Sequence, residues 1–276
     1  MKSTLRPTLL VSIGAAVLVA CGSSEPAPAP EGNNTAYTSD PNKTVVIGAA
    51  SGSAQATPTG SGCVTLASGE CVKPQDKCKP GERADVIVDS NGKLVEIVCY
   101  PAAFTPTPVD GQGNVELGKD NKGVVSVDGL DDGVDIAGNV SSTGNNVTVY
   151  GQGPGLSVIG GDVTASGNNF SLRGVTVKKS VTVTGNNATF VLCVIEGDVL
   201  VEGNNAVIAD CTVKGKITIK GSNAKLVANR VLGGITIEGS NTVCDGNVAW
   251  SDKNANGAYD SGEAGAAIEC GDSKKK

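Results

Sequence analysis

The chain has 276 residues, of which 39% are hydrophobic and 18% are charged, with nine cysteines, no histidine and a formal net charge of -6. An acidic chain does not offer the dense basic surface that nucleic acids require, so we expect no nucleic-acid binding. The absence of histidine also removes the usual general base at neutral pH and the commonest metal ligand. The cysteine content indicates an oxidising compartment.

The N-terminus has the pattern of an export signal. A positively charged start precedes TLLVSIGAAVLVA, an apolar run too short for a stable membrane span. The next residue completes the run Leu-Val-Ala-Cys, which resembles a bacterial lipobox. The resemblance implies that residues 1–20 are a signal peptide, that Cys21 is lipidated and, because Gly22 replaces the aspartate of inner-membrane lipoproteins, that the anchor lies in the outer membrane. A plain secretory peptide with an incidental cysteine is the alternative.

Residues 21–60 have the composition of a linker. They are rich in Pro, Ala, Ser, Thr and Gly and contain few large apolar side chains. Such a segment does not bury enough apolar surface to fold. We therefore predict a lipidated, disordered tether between the membrane and the rest of the chain.

A small cysteine-rich module is predicted at residues 61–106. The stretch RADVIVDSNGKLVEIVCY alternates like two strands joined at Ser90-Asn91-Gly92, a strong β-hairpin signal. So small a unit needs disulfides, whose pairing the sequence leaves open. Zinc held by four thiolates is the alternative, although the spacing lacks close Cys-x-x-Cys pairs. The four candidate cysteines are Cys63, Cys71, Cys78 and Cys99.

An internal repeat dominates residues 107–250. The tripeptide GNN or GSN recurs, and its last four intervals are each 18 residues, which is typical of a solenoid. Short β-branched runs with apolar residues two apart predict strands. The apolar spacing does not match the six-residue step of a left-handed hexapeptide helix, so we predict an all-β, right-handed parallel β-helix of about 18 residues per coil. The repeats begin at Gly144, Gly167, Gly185, Gly203, Gly221 and Gly239.

The GNN tripeptide is predicted to form a corner of each coil. Glycine and asparagine tolerate the left-handed backbone conformation of a tight turn. The third-position asparagines would stack on successive coils, each amide donating to the next. Amides presented to a sugar are the alternative. These residues are Asn146, Asn169, Asn187, Asn205, Asn223 and Asn241.

Two further features of the repeat concern charge and thiols. Carboxylates and lysines alternate in sign at equivalent positions of adjacent coils, as at Glu196 and Lys214, which predicts ion pairs rather than a catalytic carboxylate pair. Cys193 and Cys211 occupy the same position on adjacent coils. A disulfide and a stack of buried thiols both remain open for them.

Residues 251–276 are predicted to form a calcium-loop cap and a basic tail. The segment DKNANGAYDSGE matches the twelve-residue calcium-loop pattern, including the glycine at its sixth position. It resembles isolated calcium loops of bacterial surface proteins, and an accidental match is the alternative. Cys244 and Cys270 bracket the loop and could close it as a disulfide. The predicted ligands are Asp252, Asn254, Asn256, Ala258, Asp260 and Glu263.

The corner tripeptides followed by short Val/Ile/Thr strands resemble an uncharacterised family of β-helical repeat domains in bacterial lipoproteins and secreted proteins, and more distantly the pectin-lyase-like fold. The resemblance implies an envelope location and a β-helix. We therefore predict a monomeric, non-catalytic, lipid-anchored protein that serves as a scaffold or as an adhesion or binding module for a surface polysaccharide or envelope protein, with structural calcium. The alternative is a carbohydrate-active enzyme or a binder of acidic polysaccharide.

Overall fold

A computed structural model describes residues 45–47, 57–59, 63–101, 109–118, 124–127, 135–260 and 262–270. The predicted signal peptide, Cys21 and most of the predicted tether lie outside these residues. The described residues form strands and turns, with one short 3-10 helix at Pro74–Asp76. Within them, no helix has the length and apolar character needed to cross a membrane.

The N-terminal module consists of two three-stranded sheets, with the strand orders β1-β5-β6 and β2-β3-β4. Disulfides join Cys63 to Cys71 and Cys78 to Cys99, which confirms the predicted disulfide-bonded module and leaves no thiolate of the four for zinc. β1 lies within the range predicted as a tether, and it pairs in parallel with β5. The strands are β1 Val45–Ile47, β2 Thr57–Thr59, β3 Cys63–Thr65, β4 Cys71–Val72, β5 Glu82–Val88 and β6 Leu94–Pro101.

The rest of the described chain winds into a solenoid with three sheets of seven strands each. Equivalent residues on consecutive coils are direct strand partners, as in Val181↔Val199 and Val199↔Ile217, so the 18-residue period is the length of one coil. The predicted all-β parallel solenoid is therefore confirmed. Its strands are β7 Val115–Leu117, β8 Val124–Val127, β9 Val140–Ser142, β10 Thr148–Gly151, β11 Val158–Ile159, β12 Val163–Ala165, β13 Ser171–Arg173, β14 Thr176–Val177, β15 Val181–Val183, β16 Thr189–Val191, β17 Val194–Ile195, β18 Val199–Val201, β19 Val207–Ala209, β20 Thr212–Val213, β21 Ile217–Ile219, β22 Lys225–Val227, β23 Arg230–Val231, β24 Ile235–Ile237, β25 Val243–Asp245, β26 Val248–Trp250 and β27 Ala264–Ala267.

The apolar periodicity lines the inside of the solenoid. Phe190, Ile208 and Leu226 are partners on three consecutive coils, and all are fully buried. Residues on either side of them in each strand point outward, as the two-residue alternation of a strand requires. The core is thus made of apolar, mostly aliphatic side chains stacked along the solenoid axis.

The corner prediction is confirmed for asparagine and corrected for glycine. The third-position asparagines have φ between 55° and 61°, and Asn187 Nδ2 donates to Asn169 Oδ1 at 2.8 Å, a bond repeated along the column. We call this column the amide ladder. The corner glycines do not share the left-handed conformation. A Cβ at Gly203 would overlap the carbonyl of Gly185 on the preceding coil, so these glycines serve close stacking of the coils.

The module packs on the outside of the solenoid. One face of its β1-β5-β6 sheet forms an apolar cluster with Val191, Val207, Ala209 and Val227 of the solenoid. The contacts progress along the stack, from Asp85 with Arg173 to Ser90 with Asp245. Arg173 and Asp245 are four coils apart in the register of partners, so the contacts span five coils. The hairpin therefore lies along the solenoid axis and crosses the coils.

Candidate metal centre

The predicted calcium loop connects β26 and β27 at the C-terminal end of the solenoid. These strands are antiparallel, with Trp250 opposite Ala264. A disulfide joins Cys244, in the last strand of its sheet, to Cys270. Ile268 packs against the solenoid core, and its N–H donates to the Asn247 carbonyl at 2.8 Å. The loop is therefore held on the last coil by a covalent bond, a strand pair and an apolar contact.

The first half of the loop turns around the Asp252 carboxylate. Its Oδ1 accepts from the Asn256 N–H at 3.0 Å and its Oδ2 from the Gly257 N–H at 2.8 Å. Asn254 Oδ1 accepts from the same Asn256 N–H at 3.1 Å. Gly257 has φ 73°, the left-handed conformation expected of the glycine at the sixth position. These bonds direct side-chain oxygens of the first and third positions towards the interior of the turn.

Asp260 joins the two asparagines of the loop. Its Oδ2 accepts from the Nδ2 of both Asn254 and Asn256, each at 2.6 Å. Ala258 follows Gly257, and its N–H donates to Asn256 Oδ1 at 2.8 Å. Two amide side chains thus converge on one carboxylate oxygen. Each of the two amides carries an oxygen beside its nitrogen, so the same side chains offer the oxygen donors that calcium prefers.

Glu263 closes the loop. Its side chain is buried, with 4% of the residue exposed. Oε1 accepts from the Lys253 N–H at 2.8 Å and Oε2 from the Asp260 N–H at 2.9 Å. Because each oxygen has a further lone pair, both remain able to bind a cation, as the glutamate at the twelfth position of a calcium loop does. The burial and the position of Glu263 both fit this role.

The carboxylates of the loop are not drawn into one tight cluster. Among the described residues, three acidic or thiol groups with ligand atoms within 4.8 Å of one another occur at Cys78, Glu82 and Cys99, where the two cysteines form a disulfide. Asp252, Asp260 and Glu263 are instead linked through amides and main-chain N–H groups. The donor types and their order fit calcium, and the amides occupy the space between the carboxylates.

Aromatic side chains seat the loop on the solenoid. Tyr259, which stands where an aliphatic residue is usual in paired calcium loops, packs edge-on against Trp250 with ring centroids 6.0 Å apart. The Arg230 guanidinium lies 5.1 Å from the Tyr259 ring, and Trp250 Nε1 donates to the Val213 carbonyl at 3.4 Å. The departure from the usual pattern therefore provides packing against the coils.

The two cysteines within the repeat are buried thiols rather than a disulfide. The Leu172 and Val191 carbonyls both lie within reach of the single thiol hydrogen of Cys193, and the Cys211 thiol donates to the Ala209 carbonyl. Burial raises the pKa of the Cys211 thiol well above its usual range, which keeps it protonated. The column continues as a buried amide pair at Asn229 and Asn247. This column is a packing feature of the core.

The buried contact between module and solenoid was not predicted from the sequence. The side chain of Asp85 is fully buried and that of Arg173 is 5% exposed. Arg173 Nε and Nη2 both donate to Asp85, the latter at 2.9 Å, and the guanidinium carbon lies 3.5 Å from the centroid of the Tyr100 ring. The available signal was the apolar column Val191, Ala209 and Val227 at outward-facing positions, which requires a cover.

Searches of protein-family models, curated proteins and solved structures gave no match to this chain.

Proposed function

We propose that this chain is a non-catalytic, lipid-anchored protein of the bacterial cell envelope, as in the β-helical family that its corner tripeptides resemble. In this proposal Cys21 carries the lipid in the outer membrane and the solenoid is a rigid scaffold or a binding module. A calcium ion held by the loop at residues 252–263 stabilises its C-terminal cap. Polysaccharide or another envelope protein is the partner.

The observation that carries the proposal is the antiparallel strand that covers one of the three sheets at the C-terminal end of the solenoid. The last strand of one sheet, β27, is antiparallel to its neighbour and ends the parallel repeat there, and the Cys244–Cys270 disulfide fixes it to the last coil. Solenoids need such caps to remain monomeric, because an open end offers unpaired strand edges. A capped, disulfide-bonded solenoid is suited to display outside the cytoplasm.

The outward charges support a scaffold rather than catalysis on the same surface. Glu196 lies 3.0 Å from Lys178 and 3.2 Å from Lys214, on the coils before and after it. Lys220 lies 2.8 Å from Glu202. Cross-coil pairs of this kind help to set the register of stacking, and each contributes about 0 to 1 kcal/mol. These carboxylates have structural partners.

The calcium proposal is tested by thermal unfolding in calcium and in chelator. An extracellular-type loop with a Kd of about 10⁻⁴ to 10⁻³ M, in a tenfold to hundredfold excess of calcium, gains about 1.4 to 2.7 kcal/mol. We expect calcium to raise the Tm of the wild type and of the control Glu269→Gln, whose side chain is exposed outside the loop. Glu263→Gln should lose the shift, because it removes a ligand charge while keeping the shape. Equal Tm values of the wild type in calcium and chelator would contradict calcium binding.

The anchor and the absence of catalysis need separate measurements. Mass spectrometry of the protein from a bacterial host should find acyl groups on the wild type, and Cys21→Ser should release the protein from the membrane fraction. An unacylated wild type would remove the anchor from the proposal. Release of unsaturated sugars from a polysaccharide incubated with the purified protein would contradict the non-catalytic role.

A further inference from the structure

A groove lies between the module and the amide ladder. Its volume is about 380 Å³. One side is the segment 96–99 of β6, and the other is the ladder at Asn187 and Asn205. The bottom is formed by Ser171, Thr189 and Val207, which are equivalent residues on three consecutive coils. Since adjacent strands are about 4.8 Å apart, the groove extends for roughly 10 Å along the solenoid axis.

The groove presents hydrogen-bonding groups from every side. Within the described part of the chain, the hydroxyls of Ser171 and Thr189 form no hydrogen bond, and both residues are half-buried. Each ladder amide uses one Nδ2 hydrogen and one Oδ1 lone pair for its neighbours, as at Asn187 and Asn205, which leaves one of each free. Among the described strands, β6 lies at the edge of its sheet, so alternate main-chain groups along it have no partner in another described strand.

The spacing of these groups favours a ligand rich in hydroxyls over a peptide. Donors and acceptors repeat about every 4.8 Å along the ladder, whereas equivalent main-chain groups along β6 repeat about every 6.6 Å. A peptide strand paired with β6 would therefore be out of step with the ladder. A sugar hydroxyl both donates and accepts, and an oligosaccharide carries several of them on each ring, so it can bond to both sides at once.

The charge of the groove favours a neutral ligand. Its one charged lining residue is Glu96, whose carboxylate lies 3.9 Å from Lys225 Nζ. Lys225 follows Val207 in the same column and also donates to the Val95 carbonyl at 3.1 Å, so it closes the groove at that end. An acidic sugar would meet the Glu96 carboxylate and a chain of net charge -6.

We propose that this groove is a binding site for a neutral oligosaccharide, held by the ladder amides, the hydroxyls of Ser171 and Thr189 and the edge of β6. The inference rests on the binding-module form of the proposed function and identifies its ligand class. It does not depend on the lipid anchor or on calcium.

The test uses the full-length protein purified in detergent and kept in calcium. Arrayed neutral hexose and N-acetylhexosamine oligosaccharides are the probes, with uronic acid oligosaccharides and eight-residue Thr/Val-rich peptides as competing classes. Bound probes are then titrated by calorimetry against the double variant Ser171→Ala, Thr189→Val, which removes two hydroxyls with little change of shape. The matched control is Thr182→Val, at a half-buried outward position of β15 in another sheet.

We expect a neutral oligosaccharide to bind, the double variant to weaken it at least about fivefold, and the control to leave it unchanged. The inference would be overturned if the double variant bound the oligosaccharide as tightly as the wild type does. It would also be overturned if the protein preferred uronic acid oligosaccharides or peptides, or if it bound none of the probes. A bulky variant, Thr189→Arg, should abolish binding while leaving the calcium-dependent Tm shift intact. The proposed function is tested separately, by acylation and by the calcium-dependent Tm shift. A failure of oligosaccharide binding can therefore be distinguished from a failure of the proposed function.

Discussion

The interface between the module and the solenoid contains one buried ion pair, which makes Asp85→Ala an informative variant. The Asp85 and Arg173 side chains are 0% and 5% exposed, so Asp85→Ala removes the carboxylate from a buried ion pair while the guanidinium charge stays buried. Breaking a buried pair in this way costs about 3 to 5 kcal/mol. Stacking of Arg173 on the Tyr100 ring is present in both the wild type and the variant, so it cancels from the difference in stability. We therefore expect a loss of about 3 to 5 kcal/mol.

The assay is denaturant unfolding of Asp85→Ala, of Arg173→Met and of the double variant Asp85→Leu, Arg173→Met. The double variant should lose less stability than either single one, because it removes both charges and fills the space with apolar groups. The control is Glu202→Gln, in a pair whose side chains are 39% and 44% exposed. Solvent screens this pair, so the expected loss is much smaller than that of Asp85→Ala. If Asp85→Ala cost no more than this control, the described interface would be refuted.

Three further predictions concern the coil and its cap. Gly203→Ala should lose about 1 to 3 kcal/mol through overlap with the preceding coil, whereas Gly111→Ala, with open space around its Cβ, should be near neutral in the same unfolding assay. Cys244→Ser, which opens a link between residues 26 apart, should lower the unfolding free energy by about 3 to 4 kcal/mol, and an unchanged denaturation midpoint would contradict the cap. Burial raises the pKa of Glu196, but the hydrogen bonds and charges of two neighbouring lysines outweigh it and hold the pKa below its usual value. The stabilisation by ionised Glu196 is therefore complete above the unfolded-state pKa and is lost as the pH falls through the folded-state pKa. The difference in unfolding free energy between the wild type and Glu196→Gln should shrink over that range. A difference that does not depend on pH would contradict the pairing.

The coil was predictable because every repeat carries a GNN or GSN corner tripeptide and the same alternation of apolar residues. Asn187 and Asn205 recur at the period of one coil, and the interior residues between them alternate as strands do. The role of the corner glycines could not be predicted from the sequence in the same way. A glycine is required there because a Cβ would overlap a carbonyl of the preceding coil. This contact joins residues 18 apart and depends on how closely the coils stack.

The module interface and the groove were beyond the sequence for a different reason. Asp85 and Arg173 are 88 residues apart, and each is an unremarkable charged residue in its own segment. The hairpin signal at Ser90-Asn91-Gly92 predicts two strands but carries no information about the surface on which they pack. The candidate residues of the calcium loop could be selected from the sequence because their spacing is local. The hydrogen bonds from the Asn254 and Asn256 amides to Asp260 depend on the folded turn.

The orientation of the hairpin along the stack has a consequence for the cooperativity of unfolding. In a plain solenoid each coil contacts only its neighbours, so unfolding can proceed coil by coil from a free end. Here one rigid hairpin contacts coils from Arg173 to Asp245, which couples layers that do not touch one another. Fraying of the final coil therefore also removes a contact of the hairpin, and the five coupled coils should unfold as a single unit.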